Sequence, residues 1–197
     1  MPLILPTTGQ FELEEKRSRF IGLCAPVKTE TEARNVIAGV REAHKTANHN
    51  VFAYSVTEGN IIRFNDDGEP GGTAGMPVLN VFQKAGIIDY VCVVTRYFGG
   101  TLLGAGGLVR AYTKAAKGAM DASGPTPQVH YTHYRVICEY PQYDKAKYNF
   151  EKWGVEILDT QYTDTCTIYV RVRDELAQPF LEGGFYVIEF LKAEVSH

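Results

Sequence analysis

The 197-residue chain has no hydrophobic run long enough to cross a bilayer, which takes about 20 apolar residues. Met1 to Gln10 shows neither the basic start nor the apolar centre of a signal peptide, so no secretory leader is expected. Cysteine is sparse. Cys24, Cys92, Cys138 and Cys166 stand far apart, mostly in apolar contexts, and none forms a C-x-x-C pair. That spacing argues against a zinc ribbon or a redox dithiol and points to packed, reduced thiols in a cytoplasmic protein. Ser18, Ser55, Ser123 and Ser196 are the only serines, and none lies in G-x-S-x-G, so a nucleophile elbow is excluded. Cys92 has no activating base beside it in sequence, which disfavours a cysteine hydrolase. No glycine precedes Gly-Lys-Ser/Thr at P-loop spacing, and Gly104-Ala105-Gly106-Gly107-Leu108-Val109 puts Val109 where a dinucleotide fingerprint needs glycine. The net charge of −3 argues against indiscriminate adhesion to nucleic acid. Internal repeats and low-complexity tracts are also lacking.

What remains is an ordinary globular composition, 45% hydrophobic and 22% charged, long enough for one large or two small domains. Most of the 19 glycines fall between Asp66 and Tyr112. Glycine weakens helices and strands, so such a cluster signals positive φ angles or close backbone approach. Val91 to Thr95 reads as a buried strand, followed by a glycine loop and a helix from Leu108 to Met120. Strand, glycine loop and helix N-terminus together suit an anion. The competing reading is that the glycines only let the helix pack tightly.

In chain order, Phe11–Glu15 and Phe20–Ala25 read as strands on either side of the basic run Lys16-Arg17-Ser18-Arg19. Thr29 or Thr31 can cap a helix running to His44, with Ala33, Val36, Ile37 and Val40 on its inner face. Val51–Val56 and Ile61–Phe64 form a hairpin, Gly75–Ala85 a helix, and Asp89–Thr95 the buried strand. Ser123-Gly124-Pro125-Thr126-Pro127 then reads as a linker. Beyond it come a strand (Tyr131–Tyr140), a helix (Gln142–Trp153), strands at Val155–Tyr162 and Cys166–Val172, a helix (Glu175–Glu182) and a strand (Phe185–Leu191). That order, βαββαβ, is ferredoxin-like. The expected division is therefore 1–127 and 128–197. The first part carries 13 Lys/Arg against 12 Asp/Glu and the second 7 against 11, so a polyanion site belongs on the first part, as a local patch.

Three stretches resemble the IMPACT family: Asp66-Asp67-Gly68-Glu69-Pro70 with Gly72-Thr73-Ala74-Gly75, Thr95-Arg96-Tyr97-Phe98-Gly99-Gly100, and Leu103 to Tyr112. Lys16 to Ile21 and Ala43 to Asn50 are similar too, except that Asn48 stands where the family usually has threonine. The resemblance implies an α+β protein of two domains. The first would be like the second domain of a small-subunit ribosomal protein and domain IV of elongation factor G, and the second like that factor's ferredoxin-like last domain. It also implies contact with RNA, the ribosome or a translation factor. Eukaryotic relatives act in translational control through an extra N-terminal domain, which is not expected here because the family's motifs begin close to Met1.

Two sets of candidate residues follow. Arg96, Tyr97, Gly99, Gly100, Gly104, Gly106, Gly107 and Arg110, with Arg17 and Arg19, are candidates for holding an anion or nucleic acid. For Arg96 the alternative is an ion pair with Asp66, Asp67 or Glu69. His44, His49, Asp66, Asp67 and Glu69 are candidate ligands or acid–base groups if the helix ends between the two histidines. The alternative is that His44 caps the helix, His49 starts a strand and the acids make turn hydrogen bonds. The reading is a cytoplasmic, non-enzymatic RNA- or ribosome-associated protein with no membrane contact, no cofactor, no metal and no assigned catalytic residue. A metal- or nucleotide-dependent phosphate-ester enzyme is the alternative.

Overall fold

The computed structural model describes residues 2–182 and 187–195. Contacts divide the chain into two units, one ending at Pro127 and the other beginning at Gln128. The first unit holds strands β1 (Leu3–Ile4), β2 (Gly9–Glu15) and β3 (Ser18–Pro26), helix α1 (Glu30–Ala43), strands β4 (His49–Val56) and β5 (Ile61–Asn65), helix α2 (Gly75–Ala85), strand β6 (Tyr90–Tyr97), helix α3 (Ala105–Ala122) and strand β7 (Thr126–Pro127). Five of these strands form one antiparallel sheet in the order β2-β3-β6-β4-β5.

The central strand β6 explains the two-layer core. Its residues Tyr90, Cys92 and Val94 join a cluster with Val78 and Phe82 of α2 and Leu108, Tyr112 and Ala115 of α3. Val91 and Val93 point the other way, to Ala33 and Ile37 of α1. A strand buried on both faces needs apolar residues at every position rather than alternating ones, which is what Tyr90 to Val94 supplies. Helix α1 starts where Thr29 accepts the amide of Glu32 through its side chain. Helix α3 lies close on β2 and β3. A Cβ at Gly9 would fall 2.1 Å from the Ala119 carbonyl, and one at Gly22 2.5 Å from that of Ala115. Only glycine permits that approach.

Two expectations shift in the first unit. Helix α3 begins at Ala105, three residues before Leu108, because burial of Leu108, Ala111 and Tyr112 outweighs the poor helix propensity of Gly106 and Gly107. The stretch read as a linker is tied into the first unit: Thr126 and Pro127 pair with Ile4 and Leu3.

The second unit runs β8 (His130–Cys138), α4 (Tyr140–Lys152), β9 (Glu156–Tyr162), β10 (Cys166–Arg173), α5 (Asp174–Glu182) and β11 (Val187–Val195). Its sheet order, β11-β8-β10-β9, is the ferredoxin-like arrangement. The last strand extends beyond Leu191 to Val195 because it pairs along β8 up to His130. Its expected start at Phe185 lies outside the described residues. Tyr134, Val136, Ile168 and Val170 meet Phe150 and Phe180 in its core.

Candidate functional site

The acidic loop between β5 and α2 is occupied with holding the fold. Asp66 accepts the backbone amides of Gly72, Ala74 and Gly75 at 2.9, 3.1 and 2.7 Å, and so caps α2 from upstream. Asp67 accepts the Asn50 amide at 2.6 Å and the Arg41 guanidinium at 2.8 Å. Glu69, 8% exposed, accepts Arg96 Nη1 at 2.6 Å and the Tyr112 hydroxyl at 2.7 Å on one oxygen. Burial, then this hydrogen bond, pushes the Tyr112 hydroxyl above its ordinary pKa.

The two histidines do not converge on that loop. Helix α1 ends at Ala43, and His44 turns to the Tyr97 hydroxyl at 2.9 Å. His49 alone faces the loop, meeting the Asp67 carbonyl at 2.8 Å and lying 3.8 Å from Glu69. Among the described residues no three His, Cys, Asp or Glu side chains form a metal-binding group.

Arg96 leaves β6 inward. It is 5% exposed and paired with Glu69, so of the two roles weighed for it the geometry is that of the ion pair. Its guanidinium lies between the rings of Phe20 and Phe98, with centroids at 5.4 and 5.5 Å. Phe98 itself is 44% exposed. Asn48 fixes that position: its side-chain oxygen accepts the Phe98 amide at 2.8 Å. Phe98 thus presents one ring face to Arg96 while much of the ring stays open to solvent.

Beside Phe98 the glycine loop meets the turn joining β2 and β3. A Cβ at Gly99 would fall 2.0 Å from the Arg17 carbonyl, and the Gly99 amide donates to Ser18 Oγ at 3.2 Å. That turn consists of Lys16 and Arg17 alone, with φ of 47° and 68°. Two-residue hairpin turns of this kind favour Asn-Gly. Here two cations take the left-handed conformation at a cost of about 1–2 kcal/mol per residue. Gly104 (φ 70°) starts α3 without any side-chain cap. Arg110 sits in the second turn of α3 but folds back so that its Nη1 is 3.5 Å from where a Gly106 Cβ would be. Lys16, Arg17 and Arg110 are exposed, and none has a carboxylate partner among the described residues.

The structure therefore sorts the anion candidates. Arg17 meets Gly99 and Arg110 folds over Gly106, and the loop from Gly100 to Gly104 that joins these two contacts is exposed at both glycines, with Gly107 in the first turn of α3. Arg96 is buried and shares Ser18 with the Gly99 amide. Tyr97 and Arg19 do not join them. They pair across β6 and β3, Arg19 lies over the Tyr97 ring at 5.9 Å, and Glu12 holds Arg19 at 2.6 and 2.8 Å. Residues on one strand point alternately to opposite faces, so Tyr97 goes with His44 and Arg96 with Tyr112. The sequence candidates omit Ser18, Lys16 and Phe98 and take Tyr97 where the structure presents Phe98. Period-two alternation from Arg96 could have separated those two.

Fold and surface define a two-domain α+β protein with a cationic, aromatic surface on its first unit. The Impact N-terminal domain description matches residues 16–120, and a domain of unknown function (DUF1949) matches residues 136–182. The chain is 46% identical over 117 residues to IMPACT family member YvyE of Bacillus subtilis, covering 59% of this chain and 54% of that one. It is 36% identical to IMPACT family member YigZ of Escherichia coli, over 71% of this chain and 70% of the relative. A crystal structure of a hypothetical protein matches 96% of this chain and 95% of its own, at 28% identity and a TM-score of 0.60. The chain belongs to the IMPACT family. It spans about half the length of the Bacillus relative.

Proposed function

We propose that this protein is a non-enzymatic component of the translation apparatus that binds RNA on the surface formed by Lys16, Arg17, Phe98, the start of α3 and Arg110. The observation that carries the reading is the Lys16–Arg17 turn, held left-handed against Gly99. Backbone strain kept in a turn that a different sequence would relieve marks a functional position, and here the strain presents two unpaired cations beside an exposed ring. Cations for phosphates together with an aromatic face for a base are what sequence-tolerant RNA binding needs. The translational setting rests on the family resemblance. The four cysteines, all buried and free, support a reducing, cytoplasmic location.

The phosphate-ester enzyme has less support. Asp66, Asp67 and Glu69 each serve backbone or buried partners, and His44 faces away from them.

The test is binding of single-stranded RNA by the full chain over a salt series. Binding should fall with salt, and the Lys16→Asn/Arg17→Gly double variant should lower the log–log slope by about 1.4, for two phosphates at 0.7 each. Absence of binding, or binding indifferent to salt, would overturn the proposal.

A further inference from the structure

We infer that the RNA ligand is a single strand that continues from Phe98 along the outer face of α3 and seats a second base in the groove between α3 and β2. The inference rests on the proposed RNA-binding reading and extends it to the form and length of the ligand. The groove has a volume of about 520 Å³ and is floored by Phe11 and Val109. Phe11 is half-buried, and its ring lies against the backbone of Gly118, where an added Cβ would come within 2.2 Å of it. Glycine in the middle of a helix is unfavourable; here it gives the ring its seat.

The rim is cationic. Arg110, Lys114 and Lys117 stand at helical spacing on one exposed face of α3. Among the described residues Asp121 is the only acid lining the groove, and Lys117 engages it at 2.8 Å. Arg110 and Lys114 have no carboxylate partner among the described residues. Arg110 borders both this groove and the glycine loop, so the two sites are continuous. An aromatic floor beneath a cationic rim fits the bases of a single strand on their phosphate chain, and a duplex keeps its base faces covered. The helix from Gly104 to Gly118 spans about 20 Å, which is about six nucleotides at ~3.4 Å per stacked nucleotide.

Fluorescence anisotropy with oligouridylates of increasing length tests this on the full chain. Affinity should climb to about six nucleotides and then level off, and the same sequence in a duplex should bind more weakly. Lys114→Ala should reduce the salt slope by about 0.7 for the hexamer and leave the dinucleotide unchanged. Gly118→Ala, which displaces the Phe11 ring, should remove the gain beyond the short oligomers. Phe11→Leu, which keeps the apolar packing, makes the same test should Gly118→Ala fold poorly. A dinucleotide binding as tightly as the hexamer, an unchanged slope in Lys114→Ala, or displacement of the hexamer by polyglutamate at equal charge would overturn the track while leaving the glycine-loop site standing. Failure of every oligomer to bind would overturn both.

Discussion

Replacing Arg96 by alanine should be among the most damaging single changes in the first unit. The side chains of Arg96 and Glu69 are 6% and 3% exposed. Alanine would leave the Glu69 carboxylate buried, with the Tyr112 hydroxyl at 2.7 Å and His49 at 3.8 Å as its remaining partners. Stranding one member of a buried pair costs about 3–5 kcal/mol, against a total domain stability of about 5–15 kcal/mol. The gap between the Phe20 and Phe98 rings adds to that loss. Urea titration followed by far-UV circular dichroism measures it. Trp153 is the chain's only tryptophan and lies in the second unit, so its fluorescence follows that unit separately. Arg96→Met combined with Glu69→Leu strands no charge and should recover most of the stability. Tyr112 then lacks its acceptor, at about 1–3 kcal/mol. A loss below about 1 kcal/mol in Arg96→Ala would refute the buried pair. RNA affinity should also fall, through the loss of support under Phe98.

The Lys16→Asn/Arg17→Gly turn variant should unfold at a higher temperature, gaining about 1–2 kcal/mol, while losing RNA affinity; a destabilised variant would mean the turn is not strained. Asp66→Ala removes the acceptor of three amides at the start of α2 and should cost about 1–2 kcal/mol, measured by the same urea titration. Burial pushes the Cys24 thiol up to about 11 and raises the Cys92 thiol and the Tyr90 and Tyr112 hydroxyls as well. The folded state holds these protons more tightly than the unfolded chain, so their stabilising effect is complete below the unfolded thiol pKa of about 8.5. It is then lost as pH rises through the folded values. Melting temperature should therefore fall steadily above about pH 8.5, and a flat profile up to pH 11 would contradict the burial of these groups. Gly99→Ala should disrupt the first unit, because its Cβ would meet the Arg17 carbonyl at 2.0 Å, whereas Gly100, with open space around it, should tolerate alanine apart from its φ of 84°. Parallel melts of the two variants compare them.

Much of the architecture was legible because it depends on local pattern. Continuous apolar residues from Tyr90 to Val94 identify a strand buried on both faces, and the spacing of Ala33, Ile37 and Val40 gives α1 its inner side. Thr29 marks the start of α1, and Gly75 and Ala85 bound α2 as expected. Helix α3 starts earlier than local pattern predicts, for a physical reason. Gly106 and Gly107 speak against helix locally, and only the burial of Leu108, Ala111 and Tyr112 reverses that preference.

The residue types of the site were fixed in the sequence: glycines clustered around a buried strand, arginines beside aromatics, acids in a turn. Partnership was not. Asp66, Asp67 and Glu69 are near neighbours in sequence, yet one caps a helix, one holds a strand amide and one sits in the core with Arg96. Tyr97 and Phe98 are adjacent but point to opposite faces of a sheet whose two sides meet different helices. Lys16 and Arg17 read as a solvated basic run until the chain brings Gly99 against them, 82 residues later, and holds them left-handed. Composition and periodicity act over a few residues, and so they determined the elements. Ion pairs, ring stacking and backbone approach join residues distant in the chain, and only the packed tertiary structure decided which cations are buried and which remain free to meet a ligand.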